Sequence, residues 1–191
     1  MVTSLDEWLA DAQTLLQETR EQDLSVALDR AVAATVRALR SGGTLLVCGN
    51  GGSAADAQHI VGELVGRFLA ERQPIRALCL SASESFMTAW ANDYDYDTVF
   101  SRQVEAYAEP GSVLLGLSTS GNSTNVVRAF EVAKARGLVT IGFTGAGGGA
   151  VAALSDHLIA VPSRSTPAIQ QVHLCLYHYY CAAIERAMIE S

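Results

Sequence analysis

The stretch TLLVCGNGGSAADAQHIVGELVGRF, residues 44–68, decides the fold. A short buried run, 44–48, empties into a loop of small residues, 49–53, and that loop opens a helix over 54–68. The same order returns twice. The apolar run 112–117 leads through the polar loop 118–123 into a helix over 125–136, and the run 138–143 leads through the glycine loop 144–149 into a short helix over 150–154. These runs are apolar throughout instead of alternating. That pattern marks a parallel sheet covered by helices on both faces. Two further strands are expected at 76–80 and 157–161, with helical segments around 85–91 and 98–108 and a turn at 109–111. Pro167 occupies the favoured first turn of a long C-terminal helix reaching at least Arg186.

Ahead of the first strand, Leu5, Trp8, Leu9, Ala12, Leu15 and Leu16 keep helical spacing. The polar stretch 18–23 separates that helix from a second one over 24–40, which Ser41-Gly42-Gly43 closes after a basic last turn. No linker, low-complexity tract or second domain interrupts the chain, so residues 1–191 read as one α/β domain. Within it, residues 1–41 form an N-terminal helical pair and residues 42–191 the α/β core with its C-terminal helix. The helical pair either builds an oligomer or covers the sheet. The oligomer is the expectation, because these helices carry more apolar surface than a small sheet needs.

Composition sets the outer limits. Of the 191 residues 49% are apolar and 17% charged, which excludes a disordered chain. The formal net charge of -7 removes bulk attraction to nucleic acid or to an anionic membrane. A mean hydropathy of +0.20 suits a strongly buried sheet or a large oligomer interface. Cys48, Cys79, Cys175 and Cys181 form no CxxC pair, and free buried thiols in a reducing compartment are expected. The acid-bearing N-terminus MVTSLDEWLADAQ lacks the apolar core of a signal peptide, and no uncharged apolar run reaches the ~18 residues of a membrane span. A cytoplasmic location is expected.

Each strand–loop–helix passage aims free backbone N–H groups and a helix dipole at one spot, an arrangement that suits an anion. The loop Ser118-Thr119-Ser120-Gly121-Asn122-Ser123 adds four hydroxyls and is the candidate phosphate cradle. It has no lysine, so it is not a triphosphate P-loop, and a sugar monophosphate suits it better. Its plainer reading is a serine-rich helix cap. The loop 49–53 can hold sugar hydroxyls through Asn50 and Ser53, or simply be a tight turn. The loop 145–149 has no side-chain chemistry and reads as structural, and no GxGxxG follows the first strand to suggest a dinucleotide site.

His59 and Glu63 are four apart on one helix and therefore share a face, about 5–6 Å apart at Cβ. The pair reads as two metal ligands, an acid/base pair or a solvated ion pair. Near the C-terminus, Gln170, Gln171, His173 and His178 cluster in IQQVHLCLYHYY. Histidine suits proton transfer near neutral pH, yet a histidine among Leu, Tyr and Cys reads equally as core. His157 sits at a strand edge with little to mark it out.

The runs GNGGSAADAQHIVGELVGRF (49–68), ANDYDYDTVFSRQVEA (91–106), LSTSGNSTNVVRAF (117–130) and TPAIQQVHLCLYH (166–178) resemble the phosphoheptose isomerases of the sugar isomerase (SIS) domain superfamily. The resemblance runs in register over nearly the whole chain. It implies a flavodoxin-like, five-stranded parallel sheet and a homotetramer with active sites between subunits. It implies an aldose–ketose isomerisation of sedoheptulose 7-phosphate to D-glycero-D-manno-heptose 7-phosphate, on the route to activated heptoses. By position, Glu63 and His178 match the family's acid/base pair, and His59, Glu63, Gln170 and His178 its zinc site, one ion per active site. Ser118, Thr119, Ser120 and Ser123 match the phosphate loop. Asn50, Gly51, Gly52, Ser53, Arg67, Asn92, Asp93 and Gln170 match substrate-contacting positions. The chain departs from the family at Gln171, where a glutamate is usual. Non-catalytic SIS relatives that bind a replication initiator are expected to lack the glutamate, present here as Glu63. Isomerases of other sugar phosphates share the fold. Gln170 and His178 lie eight residues apart, about 12 Å along a helix, so they meet one ion only by unusual reach, an irregular helix or different subunits.

Overall fold

The structure, a computed structural model, describes residues 4–190. The first three positions of the N-terminal stretch and the last position of the single-domain span lie outside the described residues. Two helices, α1 (Leu5–Glu21) and α2 (Ser25–Arg40), precede β1 (Leu45–Gly49) and α3 (Gly52–Val65). Then follow β2 (Ala77–Cys79), α4 (Glu84–Asp93), a 3₁₀ turn (Tyr96–Thr98) and α5 (Val99–Tyr107). The chain continues through β3 (Val113–Ser118), α6 (Thr124–Ala135), β4 (Val139–Thr144), α7 (Gly149–Leu154) and β5 (His157–Ala160), and ends in α8 (Thr166–Ile189).

The five strands are all parallel, in the order β2-β1-β3-β4-β5. This is the flavodoxin-like order. Every residue of β1 and β3 is buried, which is why their sequences do not alternate. One face packs α2, α3 and α8 against Leu45, Val47, Leu115, Leu117 and Phe143. The other packs α5 and α6 against Leu46, Cys48 and Leu114, with Phe100 and Phe130 at its centre. Each fully buried side chain of this size contributes roughly 1.5–3 kcal/mol by leaving water.

Several expectations shift in detail: the helix expected over 54–68 spans Gly52–Val65, and the strand expected over 76–80 shortens to Ala77–Cys79. The first helix does not stop at residue 18 but runs to Glu21. Polar residues there simply face solvent, and the break falls at Asp23, whose φ is 51° and whose carboxylate caps Ser25. The helix expected over 98–108 begins instead with the 3₁₀ turn, because Asp95 caps the Thr98 amide at 2.7 Å. Of the N-terminal pair, α2 covers the sheet with Leu28, Ala31, Val36 and Leu39. The α1 helix rests on α8 through Leu15 and leaves Leu5, Leu9 and Leu16 exposed. All four cysteines are free, and Cys175 is exposed on α8 where burial was expected.

Candidate active site

The strand order reverses direction between β1 and β3, and ligands of open α/β sheets bind at such a switch point beyond the strands' carboxyl ends. The two loops that leave those strands are 49–53 and 118–123, so the fold sets the two candidate ligand loops side by side. Asn50 and Asn125 join them: each amide donates to the other's oxygen, at 2.8 and 2.9 Å. Tyr96 also donates to Asn50, at 3.0 Å. In the second loop the Ser118 and Ser123 hydroxyls are 3.1 Å apart. Ser123 caps α6 without a side-chain hydrogen bond to its first amides. Asn125 Oδ1 meets the Val126 N–H at 2.9 Å, so the donors left for an anion are the N–H groups of Thr124 and Asn125.

The glycine loop holds this cradle from behind. Gly145 N donates to Thr119 O at 2.9 Å, and Val151 N to Gly121 O at 3.0 Å. Gly121 has φ +66°, and a Cβ there would lie 1.9 Å from Gly148 O. Only glycine permits that approach.

Helices α3 and α8 run side by side in the same direction. Gln170 lies against Gly52 and Ser53, Tyr177 against Asp56 and His59, and Glu185 against the chain just past α3. The pairing places His178 beside His59 and Glu63. One ligand atom from each of the three lies within 4.8 Å of the other two. His59 Nε2 is 2.9 Å from Glu63 Oε1, and the His59 and His178 rings meet edge-on with centroids 5.1 Å apart. Phe68 stacks on the other side of His178, at 5.4 Å. His178 Nε2 is buried and has no hydrogen-bond partner. Two imidazoles and a carboxylate converging in this way can hold a divalent metal or move a proton.

The Tyr177 hydroxyl lies behind His59, 3.0 Å from Nδ1, and donates to Asp56 Oδ1 at 3.3 Å. Burial pushes the Asp56 carboxyl up, against the pull of Tyr177 and His59. Burial, joined by Asp56, likewise raises the Tyr177 phenol.

The structure thus brings Glu63, His178 and His59 together, and separately gathers Ser118, Thr119, Ser120 and Ser123 in one loop. Gln170 reaches Ser53 Oγ at 3.4 Å, at the opposite end of α3 from the cluster. Gly51 caps α3 and Gly52 opens it, where a Cβ would come within 2.7 Å of the Gln170 side-chain amide and push it aside. Arg67 is exposed and pairs with Glu71 at 3.2 Å. Asn92 and Asp93 are exposed at the end of α4, where Asn92 donates to Asp93 at 2.9 Å. Among the described residues none of these three hydrogen-bonds to the cluster. His173 is core, its pKa pushed down to about 4 by burial despite a 3.1 Å contact with Thr144 O. Gln171 faces solvent. Sequence reasoning missed Tyr177, Asp56, Phe68 and Asn125. Asp56 carried a readable signal, since it lies three residues before His59 on the same helical face.

A hydroxyl-lined loop at the switch point is an arrangement that many open α/β sheets share, and the family match narrows it here to a sugar isomerase (SIS) domain. Residues 7–145 match the SIS domain family. The phosphoheptose isomerase of Crocosphaera subtropica is 46% identical, covering 93% of this chain and 91% of the relative. That of Rhodospirillum rubrum is 49% identical, covering 87% and 88%. Among solved structures, the phosphoheptose isomerase of Neisseria gonorrhoeae superposes with a TM-score of 0.90 at 39% identity, covering 95% of this chain and 97% of that one. The one from Francisella tularensis gives 0.91 at 34% identity, covering 97% and 100%. The chain belongs to the phosphoheptose isomerase family.

Proposed function

We propose that the chain interconverts sedoheptulose 7-phosphate and D-glycero-D-manno-heptose 7-phosphate, the first step toward activated heptoses. The observation that carries this reading is the meeting of Glu63 and His178 on adjacent helices, with α3 leading from the sugar-side loop to their cluster. Isomerisation moves one proton between C1 and C2 and another between their oxygens. Glu63 removes the carbon-bound proton at C1 to give an enediolate and returns it at C2. His178 serves the oxygens as the partner acid. The 118–123 loop anchors the phosphate end, which orients the reacting end without taking part in bond changes. Asn50 and Ser53 face the sugar hydroxyls from the other loop.

The same cluster suits zinc, one ion per active site. Its two imidazoles and carboxylate give three protein ligands, and the partnerless buried Nε2 of His178 is the atom such an ion would satisfy. Bound there, the ion would polarise the sugar oxygens. Glu63 cannot be a tight ligand and a free base at one instant, so its two roles alternate.

Gln170 as a fourth ligand, and Arg67, Asn92 and Asp93 as substrate contacts, fit best when supplied by a neighbouring protomer. Among the described residues none of them hydrogen-bonds to the cluster within one chain. The exposed Leu5, Leu9 and Leu16 of α1, and Leu174 and Tyr179 of α8, support a homotetramer built partly on the N-terminal helices. The four free cysteines support a reducing, cytoplasmic setting. The deciding experiment is turnover of sedoheptulose 7-phosphate against five- and six-carbon ketose phosphates, with metal analysis of the same sample. Preference for another ketose phosphate overturns the substrate assignment, and a metal-free active sample overturns zinc.

A further inference from the structure

Behind the Glu63–His178 pair lies a chain of contacts that proton transfer at the sugar does not itself require. Tyr177 is fully buried between α3 and α8, and its hydroxyl lies between Asp56 Oδ1 and His59 Nδ1. On the far side of the same imidazole, Nε2 faces Glu63 Oε1 at 2.9 Å. A phenol has a single proton and a neutral imidazole has one N–H. Tyr177 gives its proton to Asp56, so its oxygen can meet His59 Nδ1 only as an acceptor. The imidazole proton then sits on Nδ1, and the Nε2 lone pair points at a carboxylate and at the neighbouring His178. A lone pair held against a carboxylate repels it unless something positive lies between them. Had Tyr177 instead given its proton to Nδ1, Nε2–H would donate to Glu63 and occupy the oxygen that must take the sugar's proton.

The geometry points to Asp56 and Tyr177 as positioning residues that lock His59 in the Nδ1–H form and so aim a bare Nε2 into the cation site beside Glu63 and His178. The inference rests on the metal reading above. Its logic is the general one that the partner on a ligand's second nitrogen sets which nitrogen is free for the ion. Asp56 is well anchored, because α3 carries it three residues before His59 and it is half-buried against α8. Its second oxygen, Oδ2, is buried without a partner, so the carboxylate is committed to Tyr177 through Oδ1. Tyr177 is fixed in turn by edge-on contacts with both His59 and His178, at 5.5 and 5.1 Å between centroids.

The test uses the full chain as wild type, Tyr177→Phe, Asp56→Asn and the double variant. Tyr177→Phe removes only the hydroxyl and keeps the packed ring. Zinc affinity is measured by competition with a chromogenic chelator, and the His59 tautomer by imidazole ¹⁵N shifts of metal-free protein at a pH where the ring is neutral. Wild type should show a protonated Nδ1 and a bare Nε2. Tyr177→Phe should lose that preference and bind zinc about 10–100-fold more weakly. Asp56→Asn should weaken zinc binding less, since its amide oxygen still accepts from Tyr177. The double variant should bind no more weakly than Tyr177→Phe alone, because Asp56 acts only through the phenol. A wild-type proton on Nε2 overturns the inference. So do unchanged zinc affinity and unchanged nitrogen shifts in Tyr177→Phe. If wild type binds no zinc, the metal reading falls, and the nitrogen shifts alone decide the role of Asp56 and Tyr177.

Discussion

Arg72 and Glu185 form a buried ion pair, Nε to Oε1 at 3.0 Å, with 5% and 3% of their side chains exposed. Glu185 also accepts the backbone amides of Phe68, Leu69 and Ala70, and Arg72 donates to the Glu63 carbonyl at 2.7 Å. The pair therefore ties the segment after α3 to α8. It holds both the base's own backbone and the Phe68 ring that stacks on His178.

Removing one partner of such a pair leaves a buried charge uncompensated, at a cost of about 3–5 kcal/mol. Arg72→Met should lower the unfolding free energy obtained from urea titration by an amount of that order. The Glu185 carboxyl sits below its ordinary value of 4.5. Burial pushes it up, and three backbone amides with Arg72 outweigh that push. Below 4.5 the unfolded chain binds the proton first, so this stabilisation is complete above that value and is lost as pH falls through the depressed folded one. Glu185→Gln should flatten the acid-unfolding limb followed by circular dichroism. An unchanged limb would take Glu185 out of acid stability.

Glu63→Gln keeps the size of the side chain and removes the base. Turnover should fall at least ~10²-fold, while equilibrium binding of the sugar phosphate changes little. Metal content must be measured on the same samples, because the amide is also a weaker ligand. Near-normal turnover removes Glu63 from the chemistry.

Gly121→Ala forces a Cβ into a backbone at φ +66° and to 1.9 Å from Gly148 O. The left-handed conformation alone costs about 1–2 kcal/mol for an L side chain, and the collision must also push the two loops apart. Gly147→Ala is the control, since φ there is +83° with nothing within 4 Å. The Gly121 variant should raise KM with a smaller change in kcat, because the phosphate end is bound and not transformed. The Gly147 variant should leave KM near wild type. Equal effects at both positions would show that backbone strain, and not the welded cradle, sets the loss.

The α/β alternation was legible because strands buried on both faces are apolar at every position, and 44–48 and 112–117 are so. The end of α1 was not, because Glu18 and Arg20 are good helix formers whose polarity only mimics a break. His59, Glu63 and His178 were visible as residue types, and helix spacing already separated Gln170 from His178. Asn125 was hidden because its partner Asn50 lies 75 residues away in the chain. Tyr177 read as one more aromatic in an apolar run until α3 placed Asp56 and His59 against its hydroxyl.

His173 offers a second test of stability against pH, in a different window from Glu185. It is fully buried, with its pKa lowered by burial from 6.5 to about 4. Between those values the unfolded chain binds a proton that the folded chain refuses, so stability rises with pH across the window. Each unit of depression is worth about 1.4 kcal/mol, so the wild type should lose on the order of 3 kcal/mol between pH 7 and pH 4 from this group. His173→Leu should remove that slope without creating an orphan, because Thr144 O still accepts Val161 N at 2.9 Å. The substitution also deletes the buried Nδ1 that has no partner. The gap between the urea midpoints at pH 7 and pH 5 should therefore be smaller in the variant than in the wild type. Parallel pH dependence in the two proteins would mean that His173 titrates in the folded state much as it does in water.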